Sequence, residues 1–399
     1  MEKQIYTPES EISNRIDLLQ QEMVNQDLDG VVLVHHTNLF YFSGTSQNAH
    51  LFVPKQGKPL LVVRKSYQRA KKESSIKQIV EQKSMKKLFE TICDAGYKGL
   101  EKIGFELDVI PVNTFRFYDT KIFTASKIVD ASNIFKKIRL IKSKWEIDLL
   151  KIACNALTES FATVPALLKQ GMAEVEFAGL FEAQLRKRGY GGCSKMRAFN
   201  QDFFLGTMVS GSSGSAPSYF DGPVGGEGVT PANNPHGAGW KKISMDEPVF
   251  IDYTCVVNGY TADAERIFVL GDLSDKFYKA HENALEIQDA LMAMIKPGVE
   301  WQALYLKAID MADQFSMLEN FMGLGKDQVR FVGHGVGLEL DEFPVFAGGL
   351  SRKLENGMTF ALEPKFVFPD GVVGIENTFV LRDDRVEKLT LFNENVIKL

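Results

Sequence analysis

The sequence predicts a mixed α/β (α+β) protein of more than one domain. Short β-rich runs alternate with helical patterns in the first third, long amphipathic patterns fill the middle, and the last third returns to strands. The chain has 399 residues, and at roughly 150 residues per domain it holds two or three domains.

In the first third, DGVVLV, LFYFSG, HLFVP and PLLVVR are the β-rich runs of residues 29–66. They alternate with the helical patterns ISNRIDLLQQEMVNQ and SMKKLFETICDAG, as expected of an α/β unit. A second segment begins near Arg139, so the expected domains are 1–138 and 139–399. From Ser143 to about Lys169, apolar residues recur at Ile147, Leu150, Ala153, Leu157, Phe161, Val164 and Leu168, the spacing of a core-facing helix. AEVEFAGLFEAQLRKRG is a further helix closed by Gly189. Residues 205–239 are rich in Gly, Ser, Pro and Asn and are expected to be mostly loop. A long helix should run from Ser274 to Ile295, before the Pro297-Gly298 stop.

Composition excludes several classes. Hydrophobic residues make up 45% and charged residues 24%, with a formal net charge of -5. That is ordinary for a globular protein and lacks the basic field of a nucleic-acid binder. The N-terminal stretch is polar, and no run reaches the roughly 20 apolar residues that span a bilayer. The expectation is a cytoplasmic protein with no membrane or nucleic-acid partner. Cys93, Cys154, Cys193 and Cys255 are far apart with no CxxC pair, so they read as core filler.

The chemistry begins with VFIDYTCVVNGYTADAERIF, Val249 to Phe268. Asn-Gly between two alternating runs is a strong hairpin signal. With Asn258-Gly259 as the turn, Val257 pairs with Tyr260, Thr254 with Asp263, and Asp252 with Glu265. Asp252 and Asp263 then share a face as diagonal neighbours. GMTFALEPKFVFPDGVVGIENTFVL, Gly357 to Leu381, offers a second hairpin. With Asp370-Gly371 as its turn, Pro369 pairs with Val372 and Lys365 with Glu376, making Glu363 and Glu376 another diagonal pair.

Buried carboxylates need compensation, because one unpaired buried charge costs several kcal/mol. Basic partners, shared protons or bound cations could supply it. The hairpins offer Arg266 and Lys365, but alternation points Arg266 away from Glu265. Divalent metal is the economical answer. In RFVGHGVGLELDEFP, His334 stands between Gly333 and Gly335, which permit a close approach of backbone or substrate. Gly-His-Gly by itself is equally consistent with a tight turn.

The series Asp252, Asp263, His334, Glu363, Glu376 resembles the ligand set of the dinuclear pita-bread metallopeptidases: methionine aminopeptidase, aminopeptidase P and prolidase. The eleven-residue Asp spacing, GHGVG and LEP carry the likeness. RIDLLQQEMVNQDLDGVVLVHHTNLFYFSG resembles the N-terminal domain of the aminopeptidase P, prolidase and creatinase branch, and IRLIKSKWEIDLLKIACNA its junction to the catalytic domain. The resemblance implies a creatinase-like α/β domain followed by a pita-bread domain of curved antiparallel sheets covered by helices. It also implies a homodimer and a small peptide substrate, cleaved before proline by an Xaa-Pro aminopeptidase or dipeptidase.

Asp252, Asp263, His334, Glu363 and Glu376 would hold two divalent ions. Oxygen donors with one imidazole suit Mn, Co, Zn or Fe, with manganese favoured. A bridging water would supply hydroxide near neutral pH. Glu363 would also shuttle a proton, and His236, in NNPHGAG, resembles the family's substrate-side histidine.

Departures from the family pattern accompany these matches. Asp341 stands where such peptidases usually carry a second histidine, Gly374 where aminopeptidase P and prolidase carry Arg, and Glu265 where Thr or Ser is usual. Glu265, opposite Asp252, is expected to be protonated or a supplementary ligand, and Asp341 to contact substrate or support a ligand. Two other readings stay open: the same fold acting on a non-peptide amide or related small molecule, as in ectoine hydrolases or lyases, and a binding protein that has lost catalysis. GSSGS, Gly211 to Ser215, matches no nucleophile or phosphate-loop pattern, and His281 reads as a solvated helix residue.

Overall fold

A computed structural model of the chain describes residues 5–192, 194–201, 205–232 and 235–399. Cys193 lies outside the described residues. The chain divides into two compact units, residues 2–139 and residues 140–399.

The N-terminal unit is built on six strands: β1 (Gly30–Leu33), β2 (Ala49–Pro54), β3 (Leu60–Val63), β4 (Gln78–Glu81), β5 (Lys102–Phe105) and β6 (Lys127–Asp130). Their order is β4-β3-β2-β1-β5-β6, with β1–β2 and β2–β3 antiparallel and the outer pairings parallel. LFYFSG is helical, not a strand: it ends the helix His36–Ser43, closed by Gly44 in the left-handed region at φ 79°. Short apolar runs do not distinguish a strand from a buried helix turn by periodicity, and here most of the helix is buried. His50 is buried on β2, where Nε2 meets the Tyr118 hydroxyl at 2.8 Å.

The second unit opens with the helix Lys144–Phe161. Ser143 caps it with a full capping box: Ser143 Oγ accepts from the Glu146 amide and Glu146 accepts from the Ser143 amide. The predicted extension to Lys169 breaks at residues 162–163, and a short helix Val164–Leu167 follows with Pro165 in its first turn. Proline cannot continue the helical bonding, although Val164 and Leu168 remain buried. Next come the helix Glu174–Lys187 and β7 (Gly206–Ser210), which lies inside the stretch expected to be loop. β7 pairs antiparallel with β8 (Val249–Val257), which pairs with β9 (Tyr260–Val269). Ser274 occupies the N-cap of the helix Asp275–Met294, and the helix Trp301–Gln314 follows.

β10 (Phe331–Gly335), β11 (Glu342–Ala347) and β12 (Thr359–Leu362) lead to a largely buried hairpin, β13 (Lys365–Phe368) and β14 (Gly371–Gly374). The chain returns as β15 (Asn377–Arg382), β16 (Arg385–Lys388) and β17 (Ile397–Lys398). The sheets run β11-β10-β12-β15-β16 and β17-β9-β8-β7. The two long helices pack on them over one core that includes Ala280, Ile287, Trp301, Phe346, Phe360 and Phe379. Burial of this continuous apolar face holds the two sheets in place. His281 is buried, with Nε2 2.7 Å from the Glu394 carbonyl, so it is a packed histidine and not a solvated one. Among the described residues, no helix is long and apolar enough to cross a membrane.

Candidate metal centre

The first hairpin has the register its turn chemistry dictates. Val257 faces Tyr260, Thr254 faces Asp263, and Asp252 faces Glu265. Asn258 takes φ 51° and Gly259 φ 87°, the left-handed pair of a two-residue turn.

The second hairpin differs from expectation. Phe368 pairs with Gly371 and Lys365 with Gly374, so the turn is Pro369-Asp370, not Asp370-Gly371. Proline has no N–H for the last ladder bond but presets φ for a turn position. The change of register moves the acids. Leu362 pairs with Asn377, and one further step along that ladder sets Glu363 opposite Glu376. They are direct partners, not a diagonal pair.

The two hairpins are stitched together at the acids. Glu265 and Glu376 form an antiparallel bridge. The Asp263 amide donates to Thr378 Oγ1, whose hydroxyl donates back to the Asp263 carbonyl. Arg266, fully buried on the far face, donates to the carbonyls of Glu265 and Glu376 at 2.6 and 2.9 Å and to Asn377 Oδ1 at 2.9 Å. Burial lowers its pKa to about 10, so it is charged at neutral pH.

His334 comes from β10, not from a tight turn. A Cβ at Gly333 would lie 2.3 Å from the Ala361 carbonyl oxygen, and one at Gly335 would lie 2.2 Å from that of Phe343. The flanking glycines admit neighbouring backbone on both sides. His334 Nε2 faces Glu363 Oε1 at 3.4 Å and Asp263 Oδ2 and Glu376 Oε1 at 3.8 Å. On the other side of the ring, Nδ1 lies 3.2 Å from Asp341 Oδ1. A carboxylate behind the ring is the usual support of a metal-ligating histidine, because it fixes which nitrogen faces the ion.

Two groups of side chains bring donor atoms within 4.8 Å of one another: Asp263, His334 and Glu376, and Asp252, Glu265 and Glu376. The donors fit a hard or borderline divalent cation. Glu376 Oε1 and both carboxyl oxygens of Glu265 are buried without a hydrogen-bond partner, a costly arrangement unless a cation or proton satisfies them. Burial pushes the carboxyls of Asp263 and Glu265 well above the usual range and that of Asp252 up to about 7. Lys365, one of the two basic residues that the hairpins offer, has its ammonium among these acids. Its signal in the sequence is its position directly after Glu363-Pro364, on the face of Glu363.

The centre opens into a cleft walled by Phe220, Val224, Phe331 and Leu340, with Asp221 and Asp341 also on its lining. His236 does not line the cleft. Its Nε2 bonds Thr207 Oγ1 and its Nδ1 bonds Ser218 Oγ, each at 2.8 Å, and its ring lies against Phe220. It reaches the cleft through Thr207, which does line it. Burial lowers its pKa to about 4. GSSGS forms a 3-10 turn after β7 and does not line this cleft.

Sheets presenting buried carboxylates and one backed imidazole define a candidate oxygen-rich metal site. The chain belongs to metallopeptidase family M24, matched over residues 148–383, and its residues 15–141 match the creatinase/prolidase N-terminal domain. It is 26% identical over 383 residues to an Xaa-Pro dipeptidase of Pyrococcus furiosus, covering 95% of this chain and 98% of that relative. It is also 26% identical over 373 residues to an uncharacterized peptidase of Bacillus subtilis, covering 91% and 94%. Its fold matches that of an Xaa-Pro dipeptidase from Bacillus anthracis with TM-score 0.83 at 23% identity, over 97% of this chain and all of the other. The prolidase of Pyrococcus horikoshii matches with TM-score 0.79 at 23% identity, over 95% and 99%.

Proposed function

We propose that the protein is a metal-dependent exopeptidase that cleaves small peptides before a proline in second position. The observation that carries this reading is the convergence of Asp263, Glu363 and Glu376 on His334 Nε2, with Asp341 behind the ring. The Xaa-Pro dipeptidases among the relatives favour a proline-directed substrate.

Asp263, His334, Glu363 and Glu376 would hold a divalent cation, with manganese favoured, which would supply Lewis acidity toward a carbonyl and a water. The protein's own residues do the rest. Asp263, Glu363 and Glu376 each bring an oxygen within 3.8 Å of His334 Nε2, and Asp252 and Glu265 complete the acidic wall. Glu363, whose carboxylate lines the cleft, would take a proton from the attacking water and pass it to the leaving amine nitrogen. His236 acts as a positioning residue that holds the Thr207 hydroxyl at the cleft wall. Phe220, Val224, Phe331 and Leu340 exclude water and receive apolar side chains of a peptide. A cytoplasmic homodimer belongs to the same proposal, and sedimentation of the purified protein tests the oligomer.

The test is hydrolysis of Xaa-Pro dipeptides and longer Xaa-Pro peptides with Mn²⁺, Co²⁺ and Zn²⁺ in parallel. Release of the N-terminal residue is expected, with loss on chelation and at least about 100-fold loss in Asp263→Ala. Full activity in that variant would falsify the assigned centre. Metal binding without turnover of any peptide would favour a non-peptide substrate, and no metal binding would favour a retired binding protein.

A further inference from the structure

Lys365 is 1% exposed, and its Nζ sits inside the acidic cluster. It lies 2.7 Å from Glu363 Oε2, 2.9 Å from Glu376 Oε2, 3.0 Å from Asp252 Oδ2 and 3.7 Å from Glu265 Oε2. Every member of the Asp252–Glu265–Glu376 group is therefore within 4 Å of this ammonium.

The other group is arranged differently. Glu363 and Glu376 each present one oxygen to Lys365 and the other toward His334. Oε2 of both residues meets the ammonium, while Oε1 of both faces His334 Nε2, at 3.4 and 3.8 Å. Asp263 Oδ2 joins them there at 3.8 Å. The two glutamates thus bridge two cation positions. At the first, three carboxylate oxygens lie within 3.8 Å of His334 Nε2. The second is already filled.

The two kinds of cation exclude each other at the second position. A divalent ion draws carboxylate oxygens to about 2.0–2.2 Å, and these oxygens are 2.7–3.0 Å from Nζ. An ion centred among them would sit almost on the ammonium, against strong like-charge repulsion in a site this dry. The backbone makes room for the lysine. Its ladder partner is Gly374, where a Cβ would lie 2.7 Å from Lys365 Cγ and 2.8 Å from its Cα.

We propose that Lys365 replaces one of the two expected divalent ions. The chain then holds a single ion at Asp263, His334, Glu363 and Glu376, with the Lys365 ammonium as the fixed charge at Asp252, Glu265 and Glu376. This rests on reading the cluster as a metal centre. Lys365 lines the cleft, and its three N–H groups are already given to Asp252, Glu363 and Glu376. It does not coordinate water, so water activation falls to the single ion.

The full-length protein, stripped with chelator, is loaded with Mn²⁺ and freed of excess. Bound metal is counted by elemental analysis and its environment read by electron paramagnetic resonance. One Mn²⁺ per chain with the spectrum of an isolated ion is expected. Lys365→Ala should take up two, with a spin-coupled spectrum. Lys365→Gln, which keeps most of the stem without the charge, carries the same expectation if the alanine protein does not fold. Two ions per wild-type chain, or one in a folded Lys365 variant, overturns the substitution while leaving the metal centre standing. No ion bound by the wild type with Mn²⁺, Co²⁺ or Zn²⁺ overturns both.

Discussion

Arg266→Met removes the clamp that sets the two acidic hairpins side by side. The guanidinium joins the carbonyls of Glu265 and Glu376 and the Asn377 side chain from the face opposite the acids. Three hydrogen bonds to a charged donor, at about 1.5–3 kcal/mol each, set an upper bound near 9 kcal/mol. Two acceptors keep a second partner: Asn377 Oδ1 still accepts from Thr390, and the Glu376 carbonyl from the Glu265 amide. Burial also disfavours the guanidinium charge itself. The net loss is then about 2–4 kcal/mol, roughly one charge-assisted bond and one weakened carbonyl. For a unit of this size that lowers Tm by about 5–15 °C. Methionine fills similar space, so the loss comes from the polar contacts and not from a cavity. Because Glu265 and Glu376 are neighbours through their backbones, Mn²⁺ affinity should fall at least about tenfold, corresponding to about 1.4 kcal/mol of lost positioning. Scanning calorimetry and calorimetric metal titration read the two effects. A Tm within about 2 °C of wild type together with unchanged affinity refutes the clamp.

Asp341→Asn leaves the His334 ring without a carboxylate behind it, so metal affinity should fall roughly 10–100-fold with little change in Tm, measured by competition against a chelating dye. His50 is held neutral by burial, with its pKa lowered from 6.5 to about 4. The unfolded chain therefore binds a proton at higher pH than the folded one. The stability linked to His50 is fully present above about pH 6.5 and is lost as pH falls through about 4, by roughly 3 kcal/mol in all. Urea unfolding of the full chain at pH 7 and pH 5 should show the slope, and His50→Gln should flatten it. Gly335→Ala forces a methyl to 2.2 Å from the Phe343 carbonyl oxygen. It should destabilise by about 1–3 kcal/mol or more and weaken metal binding by displacing His334, with thermal melts and metal titration as readouts.

Much of the centre was legible because its strongest signals are local. Asn258-Gly259 fixes its own register by turn chemistry, so the facing of Asp252, Asp263 and Glu265 could be counted outward from it. The Ser143 capping box likewise acts within one turn of its helix. Two other elements misled the reading. LFYFSG carries the same apolar run whether extended or helical, and the packing of the N-terminal unit decides between them. In the second hairpin, Asp370-Gly371 is a good turn signal, but Pro369 beside it has no ladder proton to give.

The identity of the acidic donors, their strand partners in the first hairpin and the glycines around His334 were determined by the sequence alone, since turn geometry and steric limits act over a few residues. What the acids surround was decided only by tertiary structure. Glu363 faces Glu376 through the β12–β15 ladder, and the bridge from Glu265 to Glu376 brings the first hairpin against the second. Only after both pairings does Lys365 Nζ lie within 4 Å of four carboxylates, two within strands and two just beyond strand ends. Charge partners are chosen by distance in space, and no local rule of the chain carries that distance.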